Sequence, residues 1–296
     1  MIKNFNNLKE SGIRYGGHAG NKLGVVIDGE NWFLKFPKST KDLLRKVDIS
    51  YTTSPLSEYI GSHIYKSLGI PVHETMLGIK DEKLVVACKD FRKNQIDYRL
   101  DDYNSIKNDY VEGLEKKLES TSSSNPHAIN IDETIIIMNN NPLFNRVAGL
   151  KDRFWDMFIV DALIGNNDRN NGNWGVIVDN RTNETKIAPV FDNGASFNTK
   201  SSDENIEKIL SDKERFKNSA YLSRICAFSI NDKIINPFKY IESLENDECN
   251  KALLRIVPKI DLSKIYDIIN DIPNEYEGIK VISDIRKKYY FECIKY

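Results

Sequence analysis

The sequence predicts an α+β protein in two lobes, a small β-rich lobe over residues 1–90 and a larger, mainly helical lobe over residues 91–296. Strand-like apolar runs crowd into the first 90 residues around a single helical pattern, and beyond about Ser202 helical spacings repeat between polar turns. The chain has 296 residues, of which 40% are hydrophobic, enough to bury a large core.

"LGVVIDGENWFLKF" reads as two strands around Asp28-Gly29, a dipeptide that favours a tight hairpin. Alternation in "WFLKF" sets Trp32, Leu34 and Phe36 on one face and Phe33 and Lys35 on the other. "PLSEYIGSHIYKSLG" puts Leu56, Tyr59, Ile60, Ile64 and Leu68 on one helical face, with Pro55 near its start and Gly69 just past its end. "VHETMLGI" and "EKLVVACKDF" follow as strands. Residues 104–119 are charged and read as a helix, and "STSSSNPH" as a loop. "KDRFWDMFIVDALIG" is apolar nearly all round, with Phe154, Phe158, Ala162 and Leu163 on one face, and suits the middle of a lobe. "WGVIVD" and "KIAPVF" are two short strands, and "IRKKYYFECIKY" reads as a closing amphipathic helix.

Charge narrows the possible partners. Lys and Arg number 42 against 43 Asp and Glu, giving a net charge of −1 and a pI near 6.5, so no basic field awaits a nucleic acid and none is expected as partner. The four cysteines lack paired spacing, and the four histidines lie at unrelated spacings, so neither set predicts a metal centre. With no apolar signal core in "MIKNFNNLKE" and no run of about 18 apolar residues, no membrane span is expected. The expected location is cytoplasmic, with any delivery outside the cell needing a route other than a signal peptide.

"IGNNDRNNGNWGVIVDN" crowds asparagine, aspartate and glycine between an apolar helix and a strand. Asp168 and Asn173 stand in a D-x-x-x-x-N spacing, which suits a loop presenting a carboxylate to an acceptor hydroxyl and an amide oxygen to Mg²⁺. Asp192, in "FDNG", supplies a second hard oxygen donor. Lys35 ends a strand and Glu58 lies early in the following helix, the arrangement of a phosphate-binding lysine oriented by a helix carboxylate. Upstream, Gly16, Gly17 and Gly20 let backbone N–H groups approach phosphates, with Lys22 as an added cation. Each feature has a plainer alternative: an Asx-closed polar turn, an exposed ion pair, a β-turn.

In combination, "GNK", "FLKFP", "SEYIGSHIYKSLGIPV", "CKDFR", "IGNNDRNNGNWGV" and "PVFDNGASF" resemble the HipA-type protein kinases, and most nearly the short bacterial branch that includes the cell-translocating kinases. The resemblance spans most of residues 12–200 and thins over 95–145. It implies a two-lobed, protein-kinase-like fold that binds ATP and Mg²⁺ and phosphorylates Ser or Thr of a protein, itself included. By that resemblance Asp168 is the catalytic base, Asn173 and Asp192 the magnesium ligands, Lys35 the phosphate-binding lysine with Glu58 as partner, and Ala87, Cys88, Lys89, Asp90 and Phe91 the hinge at adenine. Toxin members carry an extra N-terminal subdomain and a serine in the Gly-rich loop whose autophosphorylation switches them off. Here the chain begins close to that loop and Tyr15 stands at the serine's place, which counts against a toxin with an antitoxin partner. Self-modification is expected in "SYTTSP", on Ser50, Thr52, Thr53 or Ser54, or else on Tyr15. A lipid or small-molecule kinase, or a nucleotide-binding module without turnover, are the alternatives left open by the residues alone.

Overall fold

A computed structural model of the chain describes residues 2–16, 22–41, 47, 49–111, 128–231 and 233–296. It divides into two compact units: Met1–Phe91 with Asn193–Ser223 and Ile260–Tyr296, and Arg92–Asp192 with Arg224–Lys259. In chain order the principal elements are β1 (Lys3–Asn4), β2 (Lys22–Ile27), β3 (Glu30–Lys35), α1 (Ser54–Ser67), β4 (Thr75–Lys80), β5 (Lys83–Lys89), β6 (Tyr98–Asp102), α2 (Tyr103–Val111), α3 (Ile131–Asn140), α4 (Leu150–Ile164), β7 (Gly175–Asp179), β8 (Thr185–Ile187), α5 (Asp203–Leu210), α6 (Asp247–Ile256), α7 (Leu262–Asn270) and α8 (Asp284–Lys295).

The first unit is built on a five-stranded sheet in the order β1-β4-β5-β3-β2. Asp28 (φ 51°) and Gly29 (φ 80°) both take the left-handed region, as a two-residue hairpin requires, and the turn sets the register from Ile27 opposite Glu30 to Lys22 opposite Lys35. Alternation then sorts the side chains. Val25, Ile27, Trp32, Leu34, Val85, Ala87 and Phe5 form one core, with Phe36 packed against it. Lys35 and Phe33 lie on the other side of β3, opposite Val86 and Cys88 of β5.

α1 packs on β4 and β5. It begins with Pro55 in its first turn and ends with Gly69 at φ +76°, where Gly69 N–H reaches Lys66 O and Ile70 N–H reaches Tyr65 O. These paired bonds are a Schellman termination, and glycine gives the left-handed residue it needs at no steric cost. Leu56, Ile60, Ile64 and Leu68 are buried as the spacing predicts, whereas Tyr59 is half-buried. Glu58 is fully buried. The strand expected in "VHETMLGI" begins only at Thr75, because Pro71 cannot donate to a ladder and His73 turns inward to Glu58. Behind α1 lies α7, followed by α8 and α5, and buried Arg286 of α8 pairs with Asp203 of α5 at 2.8 Å.

The second unit centres on α4, where Phe154, Trp155, Met157, Phe158, Ile159 and Val160 are all buried, and α6 packs along it. The α4 helix stops at Gly165 (φ 64°), where a side chain would meet the Arg224 guanidinium. Beyond it, β6, β7 and β8 form an antiparallel sheet. The strand expected over "KIAPVF" ends at Ile187, since Pro189 lacks the N–H to continue the ladder. Residues 112–127, with the loop "STSSSNPH", lie outside the described residues. The tail beyond Ser202 is helical as expected, and it also carries short strand pairs at Phe228–Ile230 with Lys233–Ile234, and at Glu275–Tyr276 with Ile279–Lys280. α8 is the closing helix, with Tyr289, Tyr290, Cys293 and Ile294 buried. Among the described residues no helix is long and apolar enough to cross a membrane.

Candidate active site

In the first unit a buried carboxylate collects three donors. Glu58 Oε2 accepts from Lys35 Nζ at 2.6 Å, and Oε1 accepts from His73 Nε2 at 2.9 Å and from the backbone N–H of Asn193 at 2.9 Å. Burial alone would raise the Glu58 carboxyl, but the Lys35 charge and the His73 hydrogen bond reverse this and hold it well below the usual carboxylate range. The pair is therefore an ionic contact sheltered from water, with the Lys35 side chain 15% exposed and Glu58 not at all. This is unlike a solvated surface pair. Asn193 is anchored further by its Nδ2, 3.0 Å from Ser62 Oγ, and Ser57 Oγ donates to Ser196 O at 2.8 Å, so α1 grips the segment after Asp192 at several points. A side chain at Gly194 would stand 3.1 Å from Glu58 Oε2. Glu58, His73 and Cys88 offer donor atoms within 4.8 Å of one another, but both Glu58 oxygens already serve hydrogen bonds.

Lys22 Nζ donates to Gly16 O at 2.7 Å, joining the two ends of the Gly-rich segment; Gly17 and Gly20 lie outside the described residues. Tyr15 packs its ring 4.6 Å from that of Phe33. Ala87, Cys88 and Lys89 end β5, and the Asp90 N–H bonds Asn31 O at 2.9 Å, which ties the start of the expected hinge to the β2–β3 hairpin. Within "SYTTSP", Thr52 is buried and Thr53 Oγ1 contacts Tyr290 OH at 3.2 Å, whereas Ser50 is exposed.

The second unit holds the asparagine-rich loop. Its turns are closed by its own side chains: Asp168 N–H donates to Asn166 Oδ1 (3.2 Å), Asn170 Nδ2 to Asp168 Oδ1 (3.2 Å), Gly172 N–H to Asn170 Oδ1 (2.9 Å) and Asn173 Nδ2 to Asp168 O (2.7 Å). The last bond uses the amide nitrogen of Asn173 and leaves its oxygen for another role. Arg169, unnoticed from the sequence, clamps the loop from inside. Its Nε and Nη2 fork onto Asp161 at 2.8 and 3.1 Å, while Nη1 donates to Asn173 O at 3.0 Å and to Phe191 O. Arg169 and Asp161 are 0% and 1% exposed. One guanidinium thus spaces Asp168, Asn173 and the residue before Asp192. Asp192 itself has φ +61°, an uncommon conformation for a residue with a side chain. Asp168 and Asp192 are half-buried.

A strand lysine held by a helix carboxylate, together with an asparagine-clad aspartate loop and an Asp-Asn-Gly segment, is the equipment of a phosphotransferase. The chain belongs to the CtkA-type serine/threonine protein kinases. It is 37% identical over 276 residues to the serine/threonine-protein kinase CtkA of Helicobacter pylori strain J99, covering 93% of this chain and 78% of that protein. The crystal structure of the Helicobacter pylori proinflammatory kinase CtkA matches with a TM-score of 0.84 and 33% identity, over 100% of this chain and 93% of that one. HipA of Shewanella oneidensis MR-1, from its complex with HipB and operator DNA, shares the fold at a TM-score of 0.54 and 14% identity, over 97% of this chain and 66% of that one. No protein-family model matches the chain. The fold is thus the two-lobed kinase-like one, and the chain is a bacterial-type serine/threonine protein kinase that uses ATP and acts on protein, with HipA-type kinases as its structural kin.

Proposed function

We propose that this kinase transfers the γ-phosphoryl group of Mg-ATP through the residues described above, with residues 1–90 supplying the nucleotide contacts and 91–296 the catalytic loop. Lys35 Nζ binds the α and β phosphates and Glu58 fixes its direction; Gly16, Gly17, Gly20 and Lys22 cradle the triphosphate; Ala87 to Phe91 receive adenine. Asp168 accepts the proton of the acceptor hydroxyl as its oxygen attacks the γ-phosphorus, the bond to the β–γ bridging oxygen breaks and ADP leaves. Asn173 and Asp192 would hold magnesium: both are hard oxygen donors, and the Asn173 amide nitrogen is already turned to Asp168 O, so its oxygen is the atom on offer. Magnesium, when bound, offsets the charge on the phosphate oxygens. The acceptor is a Ser or Thr hydroxyl of a protein, this chain included, and no antitoxin-type partner enters the reading.

The observation that carries this is the 2.6 Å contact of Lys35 with a carboxylate kept ionised in the interior. A lysine so held is aimed, whereas a surface lysine is not. The test is transfer from labelled ATP with magnesium, with and without a generic basic protein. Lys35→Ala is expected to remove most transfer and also to lower the melting temperature, because it leaves the buried Glu58 carboxylate without its cation. Activity within a few-fold of wild type would sink the assignment.

A further inference from the structure

Glu58 is oriented from one side by Lys35 and from the other by a residue to which the site as proposed gives no task. His73 stands on the segment between α1 and β4, 3% exposed, with Nε2 at 2.9 Å from Glu58 Oε1. An ionised carboxylate can only accept. Nε2 therefore carries a proton and points it at Glu58. Nδ1 is buried too, and it has no hydrogen-bond partner among the described residues. Leaving a buried polar nitrogen unbonded costs stability, and an apolar side chain of similar volume would fill the same space without that cost. A histidine here is thus a poor packing choice, and what offsets its cost is the bond to Glu58.

Without that bond Oε1 would keep only the Asn193 N–H, and the carboxylate would be freer both to take up a proton and to rotate away from Lys35. Either change unties the lysine. We propose that His73 is a positioning residue for the kinase reaction, donating from Nε2 to Glu58 Oε1 so that the carboxylate stays in the one rotamer that aims Lys35 and caps the backbone of Asn193. This rests on the reading of Lys35 as the phosphate-binding lysine. The opposite edge of the site has room for solvent: His73 lines a cavity of about 450 Å³ together with Trp32, Ser62, His63 and Thr75. A truncation to alanine would let water take over the donor's role, so the informative replacement is one that fills the space and cannot donate.

The experiment compares full-length wild type, His73→Leu, His73→Gln and Lys35→Ala for kcat, KM for ATP and melting temperature. His73→Leu removes the orphaned nitrogen but also a donor to the buried Glu58 carboxylate, so it is expected to melt somewhat below wild type, while kcat, measured well below that melting temperature, falls about 10- to 100-fold, the scale for losing a group that orients a working residue. KM for ATP should change far less than kcat. His73→Gln restores an N–H donor and should recover most of kcat, which a packing role would not produce. His73→Leu in the Lys35→Ala background should cost nothing further. A kcat for His73→Leu within about twofold of wild type, well under that expected loss, or failure of His73→Gln to outperform His73→Leu in kcat, overturns the inference. If Lys35→Ala abolishes transfer while His73→Leu does not reduce it, the His73 role alone fails; if Lys35→Ala stays active, the lysine assignment and the His73 role fall together.

Discussion

The Glu58 cluster and the Asp168 loop solve the same problem, holding a charged side chain still, by opposite means. Glu58 is fixed by groups from residues 35, 73 and 193, each brought from a different part of the chain. Asp168 sits among bonds made mostly within residues 166–173, and the loop reaches out at a few points: Arg169 to Asp161 and Phe191, Asn166 Nδ2 to Asp161, and Asn171 O to the Asn104 N–H. A network of long reach depends on the whole fold, while a loop closed mostly on itself depends mainly on its own sequence, with Arg169 as its chief clip. The cluster should therefore respond to changes far along the chain, and the loop should respond mainly to changes in itself.

Changing Asp168 is the most severe test of the loop. Asp168→Asn keeps the shape of the turn and removes only the acid–base function, so turnover should drop by about 10² to 10⁴ with melting temperature and ATP affinity retained. Calorimetric titration with Mg-ATP checks this against Asp192→Asn, which should lose magnesium-dependent affinity; equal loss in both variants would show that the two aspartates do not divide the work. Next comes the clip. Arg169→Met strands the buried Asp161, and a broken buried pair costs about 3–5 kcal/mol, so thermal melting should fall sharply even though Arg169 touches no nucleotide in this scheme. Unchanged melting would mean that the loop stands without its clip.

The cluster should fail more gently. Glu58→Gln places an amide where three donors converge, and kcat should fall about 10- to 100-fold; a loss confined to KM for ATP would show that the carboxylate does not aim Lys35. The smallest effect concerns self-modification. If the chain phosphorylates its own connector, Ser50 should carry the phosphate, because Thr52 is buried, Thr53 is tied to Tyr290 and half-buried Ser54 is bonded to Thr52 Oγ1 at 3.0 Å. Mass spectrometry of wild type against Asp168→Asn decides it, and equal phosphate in both would assign it to another kinase.

The same contrast explains what could be read in advance. The Asp28-Gly29 hairpin, the helix ended by Gly69, the Phe154–Phe158 face and the Asp168-to-Asn173 spacing all rest on residues close in sequence, whose side chains or φ angles impose the structure locally. The fold followed from such patterns. His73 and Asn193 left no mark, because nothing near either residue tells that it will meet Glu58. Arg169 was missed for another reason: placed after Asp168 it looks like a loop charge, and only the burial of Asp161 eight residues earlier turns it inward. That signal was available, since an aspartate inside the otherwise apolar "MFIVDALIG" needs a cation.

Asn193 and Gly194 form the dipeptide most open to chemical ageing, in which the glycine nitrogen attacks the asparagine side-chain carbonyl, ammonia departs and the ring reopens to aspartate or isoaspartate. In this protein the reaction is blocked by the same bonds that build the site. Asn193 is 0% exposed, its amide nitrogen is held by Ser62 and its backbone N–H by Glu58. Deamidation here requires the segment to let go of α1, so the slow appearance of isoaspartate at position 193 is a clock for how often this part of the kinase opens.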